Sequence, residues 1–162
     1  MNGPTTSDGL ATKVATKVAA VTTCRVIFGD TDAGGVVYHP RYLEMAERGR
    51  NELMRAAGLN VGNLFEDRRL SLVSRSADMR FHFPARFDDR LTIRTSVVRL
   101  GAASSCWVSR IRRGGTLVCT VRVDLVCMDR FSRRPILYPE DLRCAFERMR
   151  TGGSPSAKEI SR

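Results

Sequence analysis

The chain has 162 residues, of which 43% are apolar, and it carries a formal net charge of +10. This length supports one domain with a real hydrophobic core but is too short for two comfortable ones. No apolar run approaches the ~20 residues needed to cross a bilayer, and residues 1–12 lack the apolar stretch of a secretory signal. We therefore expect no membrane-spanning segment and no secretory signal.

The cysteines and histidines argue against a metal site. Five cysteines are scattered without a CxxC pair, and there are only two histidines. A zinc site would therefore need an improbable ligand set. We expect free thiols, a reducing cytoplasmic compartment, no bound metal and no cofactor.

Arginine supplies nearly all of the positive charge. Such a surface attracts polyanions, including nucleic acid, acidic protein faces and the phosphates of a nucleotide-bearing substrate. No motif that reads DNA or RNA accompanies the arginines, so we expect no specific nucleic-acid partner. Weak nonspecific binding at low salt is compatible with the composition.

The first elements are a strand and a long helix. A β-branched, apolar run from Val18 to Phe28 predicts a strand that ends at Gly29. Apolar residues then recur at helical spacing after Pro40, which suits the first position of a helix. Gly58 is a natural end for that helix, which we expect to have about five turns.

Alternating residues predict four further strands after a loop around residues 60–69. The segments are 73–83, in which Arg75 interrupts the apolar face, then 89–97, 105–112 and 117–127. A tight hairpin is expected at Gly114-Gly115, and a short helix at residues 140–149. The order predicts an α+β domain in which one long helix packs on an antiparallel meander of the later strands.

We expect three parts along the chain: a flexible segment at residues 1–17, one domain at 18–150 and a flexible tail at 151–162. One helix cannot cover both faces of a five-stranded sheet. An exposed edge or face is therefore expected to pair with another subunit.

The segment from Phe28 to Pro40, FGDTDAGGVVYHP, is the most informative part of the sequence. It places two carboxylates at the end of a strand and a helix N-terminus directly after them. A helix end offers free N–H donors and a partial positive charge, and the turn supplies an acid or nucleophile. Asp and Gly are also ordinary turn residues, so a purely structural role is the alternative. No GxSxG elbow, phosphate loop or dinucleotide motif is present.

These residues resemble a known enzyme family. The DTD-x-x-G-V-V-Y-H-P string, the helical ERGR sequence at residues 47–50, the FPARFDD sequence at 83–89 and the ending Arg134-Pro135-Ile136 are similar to hot-dog fold thioesterases. The group is that of the 4-hydroxybenzoyl-CoA thioesterases and YbgC-like acyl-CoA thioesterases, and the similarity spans residues 21–146. The resemblance implies a hot-dog fold, with one long helix packed on a five-stranded antiparallel sheet.

The resemblance also implies roles for individual residues. Asp32 would be the catalytic carboxylate, which attacks a thioester or activates water. His39 would supply a backbone N–H to the thioester carbonyl, and its imidazole is either a second participant or only part of the helix cap. Some relatives have a tyrosine where this chain has Phe28. Residues that would contact substrate are Gly35, Val36, Tyr38, Glu47 and Arg99, the last as one of several arginines suited to CoA phosphates. For Glu47, a place on the helix surface or in a buried ion pair is the alternative.

Three functions are compatible with these residues. The leading hypothesis is a thioesterase that hydrolyses an acyl-CoA. The second uses the same chemistry on an acyl-acyl carrier protein, as in polyketide or fatty-acid pathways, because an arginine-rich surface also suits an acidic carrier. The third is a non-enzymatic module that binds acyl-CoA. The family forms dimers that assemble into tetramers, so we expect a homotetramer.

Overall fold

The computed structural model describes residues 19–66 and 69–150, with only the backbone at residues 65 and 66. The segments predicted to be flexible, 1–17 and 151–162, lie outside these residues. The elements are β1 (Val21–Arg25), a 3-10 turn (Phe28–Asp30), α1 (His39–Ala56), α2 (Val61–Glu66), β2 (Leu70–Phe81), β3 (Arg90–Leu100), β4 (Ser104–Arg113), β5 (Thr116–Asp129) and α3 (Glu140–Arg148).

The five strands form one antiparallel sheet in the order β1-β3-β4-β5-β2. The α+β class, with one long helix on a five-stranded sheet, is confirmed. The predicted meander of four strands is wrong for β2, because only β3, β4 and β5 follow one another in the sheet. β2 instead crosses to the far edge and pairs with β5, so it occupies one edge and β1 the other.

α1 covers one face of the sheet, which we call the inner face; the opposite side is the outer face. Apolar side chains of β3, β4 and β5 fill the inner face, and Trp107 at its centre is 1% exposed. α1 comes so close at Gly49 that an added Cβ would lie 2.6 Å from Thr95 Oγ1 and 2.7 Å from Ile93 Cγ2. The absence of a side chain at Gly49 therefore sets how near the helix lies to the sheet.

The ends of α1 follow the predicted signals. Pro40 lies in the first turn, where a missing N–H breaks no helical hydrogen bond. Gly58 has φ +85°, a conformation that glycine adopts without steric cost, and the N–H of Leu59 donates to the carbonyl of Met54 at 3.0 Å. The predicted five-turn helix is confirmed.

The alternation in β2 is broken by a bulge. The pairing with β5 shifts between Ser74 and Ser76, which leaves Arg75 as the extra residue. Ala77 therefore lies on the inner face, whereas Val73 lies on the outer face and is 44% exposed. The prediction of one apolar face along 73–83, interrupted only at Arg75, is therefore wrong, because a bulge at Arg75 reverses the alternation.

Two other predicted boundaries differ. β1 ends at Arg25, and Phe28 belongs to the 3-10 turn, because the carboxylate of Asp30 turns the chain there by accepting the N–H of Ile27 at 3.0 Å. The predicted loop at 60–69 contains the short helix α2. Asn60 precedes α2, and its side-chain oxygen accepts the N–H of Asn63 at 3.2 Å, which satisfies a first-turn donor.

α3 also packs against the inner face of the sheet. Phe146 packs edge-on against Trp107, with ring centroids 5.1 Å apart. Beside them, the hydroxyl of Ser105 accepts the indole N–H of Trp107 at 2.8 Å and lies 2.9 Å from the hydroxyl of Tyr138. Burial raises the pKa of Tyr138 to about 12, so this phenol stays neutral. Within the described part of the chain, no helix is long and apolar enough to cross a membrane.

Candidate active site

The DTD segment folds as a very tight hairpin that leads into α1. Thr31 and Val37 form an antiparallel bridge, and the N–H of Asp32 donates to the carbonyl of Val36 at 3.0 Å. Gly35 has φ +71°, which a side chain would disfavour. The hairpin brings Asp32 and the first turn of α1 to the same end of the inner face.

One oxygen of Asp32 is held by its own turn. The N–H of Gly34 donates to Asp32 Oδ1 at 2.8 Å, which is the geometry of an Asx turn. A Cβ on Gly34 would lie 3.0 Å from that oxygen, so glycine leaves room for the carboxylate. The second oxygen, Oδ2, makes no hydrogen bond to any residue within 19–66 or 69–150. Asp32 is exposed, and it thus presents an oriented carboxylate with one oxygen available for chemistry.

Asp30 is engaged in a different way. Its Oδ2 accepts the N–H of Ile27, its Oδ1 lies 3.8 Å from Arg41 Nε, and its carbonyl accepts the N–H of Tyr38 at 2.8 Å. Oδ2 therefore closes the turn, while Oδ1 and the backbone carbonyl hold the turn to the start of α1. A structural role for Asp30 accounts for its contacts.

His39 is the first residue of α1. Pro40 has no N–H, and the N–H of Arg41 donates to the carbonyl of Tyr38 at 2.9 Å. The backbone N–H of His39 has no acceptor among the residues that the structure describes. This donor lies at the positive end of the helix dipole, where a developing negative charge is stabilised. The imidazole of His39 packs edge-on against Tyr38, with centroids 4.8 Å apart.

A cavity of about 370 Å³ joins these groups. It is lined by Asp32, Val36, Val37, His39, Tyr42, Phe81, His82, Phe83 and Pro84. Tyr42 is buried against Phe81, and its hydroxyl accepts the N–H of Ala85 at 3.4 Å. Burial raises the pKa of Tyr42, so its hydroxyl keeps its proton at neutral pH. The cavity is therefore a largely apolar cleft with one carboxylate and one helix N-terminus.

The structure brings some of the predicted site residues together and leaves others apart. Asp32, Val36 and His39 line the cavity. Gly35 shapes the hairpin, and Tyr38 contacts His39, but neither lines the cavity. Glu47 lies on the exposed side of α1 two turns further on. Arg99 lies on the outer face, bonded to Asp124 at 3.2 Å. The substrate contacts assigned to these four residues stay predictions.

Sequence reasoning missed the wall formed by residues 81–84. These residues are the last residue of β2 and the three that follow it. They reach the cavity only because β2 crosses to the far edge of the sheet, which the expected meander does not allow. Phe81 and Phe83 stand out as large apolar residues at a strand end, and Pro84 marks where the strand must stop. That pattern indicates where the strand ends, but it does not show that the strand end lines the cavity.

Comparison with known proteins identifies the family. The sequence model of the thioesterase-like superfamily matches residues 26–146. That stretch contains the hairpin, all of α1 and the cavity wall. The chain belongs to the thioesterase-like superfamily.

Individual relatives agree with this family. The chain is 32% identical over 126 residues to the acyl-CoA thioesterase YbgC of Haemophilus influenzae, an alignment that covers 78% of this chain and 93% of the relative. It is 34% identical to the acyl-CoA thioester hydrolase YbgC of Escherichia coli O6:H1, over 76% of this chain and 92% of the relative. The solved structure of a probable thioesterase from Bartonella henselae is 33% identical, with a TM-score of 0.66, and covers 76% of this chain and all of the other. These relatives support the identification of the chain as a thioester hydrolase.

Proposed function

We propose that this protein hydrolyses the thioester of an acyl-CoA to a free acid and CoA. The observation that carries the proposal is the position of Asp32 and the His39 N–H on one apolar cavity. A thioester carbonyl bound between them would meet a carboxylate on one side and a helix-end donor on the other. The names of the YbgC relatives support acyl-CoA as the substrate class.

Two routes use the same geometry. In the first, Asp32 Oδ2 attacks the carbonyl carbon, the C–S bond breaks to release CoA thiolate, and water hydrolyses the resulting mixed anhydride. In the second, Asp32 takes a proton from a water molecule whose oxygen attacks the carbonyl, and the thiolate leaves. In both, the His39 N–H stabilises the oxyanion, a contribution of ~2.7–4 kcal/mol in well-aligned sites.

The proposal is tested by thiol release from aryl-, short-chain, long-chain and β-ketoacyl-CoAs. Asp32→Asn should preserve the fold and lower kcat at least ~100-fold, since general-base and nucleophilic roles supply that much or more. Asp88→Asn is the matched control: it removes the same charge from an exposed carboxylate, and asparagine tolerates the φ of +66° at that position. Near-normal turnover by Asp32→Asn would rule out the mechanism.

The two routes are separated by one turnover in H₂¹⁸O with enzyme in excess. A nucleophilic Asp32 whose anhydride is opened at the Asp32 carbonyl places ¹⁸O in its own carboxylate, and the first product carries unlabelled oxygen. Label in the first product alone is expected of a general base and also of an anhydride opened at its acyl carbonyl, so hydroxylamine is added in a parallel reaction to trap any anhydride as a hydroxamate. Mass spectrometry of the product and of the peptide that contains Asp32 distinguishes them.

A second candidate substrate is the same acyl group on an acyl carrier protein. The observation in its favour is the net charge of +10, because electrostatic attraction would steer an acidic carrier to this surface. To compare the two substrates, kcat/KM is measured for the same acyl group carried by CoA and by an acyl carrier protein, each at low and at high salt. A higher kcat/KM on the carrier that falls steeply with salt would favour it. A non-enzymatic acyl-CoA-binding module is the function left if every thioester is bound but none is cleaved.

We also propose that a second copy of the chain completes the site. β2 is an exposed edge strand, and large apolar side chains next to the cavity are exposed, with Phe81 at 53% and Phe83 at 58%. The expected assembly is a tetramer built from dimers. Light scattering after size-exclusion chromatography tests this, and a monomer at micromolar concentration with full activity would contradict it.

A further inference from the structure

Arg50, in the middle of α1, is a buried cation without an acceptor. The residue is 8% exposed, and its Nη1 is buried with no hydrogen-bond partner among the residues that the structure describes. Burial lowers the pKa of the guanidinium, and the charge of Glu47 offsets only part of that effect. A buried charged donor that stays unsatisfied destabilises a fold. Arg50 therefore requires an acceptor that the described part of a single chain does not supply.

Glu47, three residues before Arg50, is an acid without a partner. The other glutamates of α1, Glu44 and Glu52, each form an ion pair with an arginine three residues away. Glu47 and Arg50 have the same spacing but form no such pair. Glu47 is exposed, and it makes neither a hydrogen bond nor an ion pair within residues 19–66 and 69–150. One helix thus carries an unpaired acid and an unpaired base.

Both groups lie on the flank of α1 that faces away from β1. Burial raises the pKa of the Cys24 thiol on β1, and the charge of Arg48 opposes that rise, so Arg48 faces β1. Successive residues of a helix are about 100° apart, which puts Arg50 about 200° from Arg48 and about 60° from Glu47. Since β1 and β2 are opposite edges of the sheet, Arg50 faces the β2 side.

The inner face of the sheet is exposed on that side. Ser74 and Ala77 of β2 pair with the buried inner-face residues Leu125 and Val123, yet both are exposed. A second copy that joined at the β2 edge, about a two-fold axis perpendicular to the sheet, would add its own α1 on this face, antiparallel to the first. The inference drawn here rests on that second copy, which is part of the function proposed above.

Two-fold symmetry makes the flank of α1 self-complementary. In such a contact, residue i of one copy meets residue j of the other and j meets i. With the axis between positions 48 and 49, residue 47 of one antiparallel helix lies opposite residue 50 of the other. We propose that α1 docks against α1 of a second copy, with Arg50 of each copy donating to the Glu47 carboxylate of the other. The flexible arginine side chain is still partly exposed, so its guanidinium can meet a carboxylate at the surface.

The charges of the flank favour a second copy over other occupants. An anionic ligand would satisfy Arg50, but Glu47 would repel it. A partner that is acidic or basic throughout would likewise suit one of the two groups only. The same flank of a second copy satisfies both, and it does so twice in each dimer. Glu47 then belongs to an ion pair between copies, and it does not contact substrate.

The first test measures the dissociation constant of the dimer by analytical ultracentrifugation. Glu47→Gln should raise the constant about 100-fold or more, because each dimer loses two pairs and each buried pair is worth at least tenfold. Glu52→Gln is the matched control, since it removes the same charge from an exposed position on the opposite flank of α1. It should leave the constant unchanged.

Charge reversal separates a contact between copies from one within a single helix. Glu47→Arg and Arg50→Glu should each weaken the dimer, because both contacts then oppose like charges. A mixture of the two variants should form a heterodimer about as tight as the wild-type dimer, since both contacts regain opposite charges. Native mass spectrometry detects the mixed species when the Arg50→Glu chain carries ¹⁵N. A contact within one helix cannot produce this rescue.

A further variant keeps the test informative if Arg50→Glu does not fold. Arg50→Met retains a long side chain at the buried position but removes the cation. Added to Glu47→Arg, it removes the repulsion between copies and should tighten the dimer about tenfold or more relative to Glu47→Arg alone. Circular dichroism and the Tm identify which variants are folded.

Three results would overturn the proposal. The first is a wild-type protein that is monomeric at micromolar concentration. The second is a Glu47→Arg dimer as tight as the wild type, which would leave the second copy in place but exclude the α1 contact. The third is no heterodimer in a mixture of folded Glu47→Arg and Arg50→Glu chains. All three are measured as masses, so a failure to hydrolyse acyl-CoA would contradict the proposed activity and not this contact.

Discussion

The inner and outer faces of the sheet are built by the same strands, but the inner face is apolar and buried whereas the outer face is charged. On the inner face, Trp107 and Ile93 are 1% exposed and pack under α1 and α3 without charge. On the outer face, Arg94 and Arg110 are cross-strand partners, and their other paired neighbours are Val21 and Thr120. The alternation of side chains along a strand lets one sequence specify both.

The two faces therefore contribute to the stability of the fold through different interactions. The inner face depends on volume and close packing, which neither salt nor pH changes much. The outer face depends on charge, so its contribution changes with ionic strength and with the protonation of its carboxylates. Substitutions on the two faces should therefore separate by their response to conditions as well as by size.

The largest effect on stability is expected on the inner face at Gly49. Gly49→Ala places a Cβ within 2.7 Å of two β3 side chains, and Thr95 is itself held by Ser109 at 2.8 Å. Overpacking costs about 1–3 kcal/mol, against about 1 kcal/mol that alanine gains over glycine in a helix. Urea unfolding should show a net loss that is the same at low and high salt.

Gly62→Ala is the control for that experiment. Gly62 lies in α2, and a Cβ there would make only ordinary contact, 3.5 Å from Asn60 Oδ1. The alanine should be neutral or stabilising, because only the helix preference acts. If Gly49→Ala proved as stable as Gly62→Ala, the close approach of α1 to β3 would be wrong.

A smaller effect, sensitive to pH, is expected on the outer face at Asp124. Partial burial raises its pKa, but hydrogen bonds from Cys106 and Ser76 and the charges of Arg122 and Arg99 outweigh this, so the net pKa is lowered. A lowered pKa stabilises the fold above the ordinary carboxyl pKa, and that stability is lost as pH falls through the folded value. Asp124→Asn should cost about 1 kcal/mol at pH 7.

Unfolding of wild type and Asp124→Asn is compared from pH 7 to pH 2.5. Their difference should shrink steadily below about pH 4. Asp78→Asn, at an exposed position of the same face, serves as the control and should change stability little at any pH. A difference at Asp124 that persisted unchanged at pH 2.5 would mean that the carboxylate charge contributes nothing.

The smallest effect is expected at Arg94, and it has the opposite sign. Arg94→Gln removes a like-charge repulsion from Arg110 and should raise the free energy of unfolding by about 0.2–1 kcal/mol at low salt. The gain should fade at 500 mM NaCl, where charges are screened. Arg143→Gln on α3 controls for net charge. Destabilisation by Arg94→Gln would show that Arg94 supports the sheet rather than strains it.

Much of the fold was predictable because its signals are local. The stripe after Pro40 and the glycine at position 58 specify α1 almost to the residue, and alternation specifies β5. The carboxylate at Asp32 was predictable as a site candidate because a short motif holds it next to a helix N-terminus. A hydrogen bond to Gly34, two residues away, is enough to orient it.

What the sequence did not reveal depends on contacts between distant residues. Each strand pattern says which side chains share a face, but not which strand lies beside it, so the place of β2 at the far edge followed only from the tertiary structure. The cavity wall at Phe81 to Pro84 depends on that placement. So does the pairing of Arg94 with Arg110, because these residues lie in separate strands and become neighbours only when β3 and β4 align.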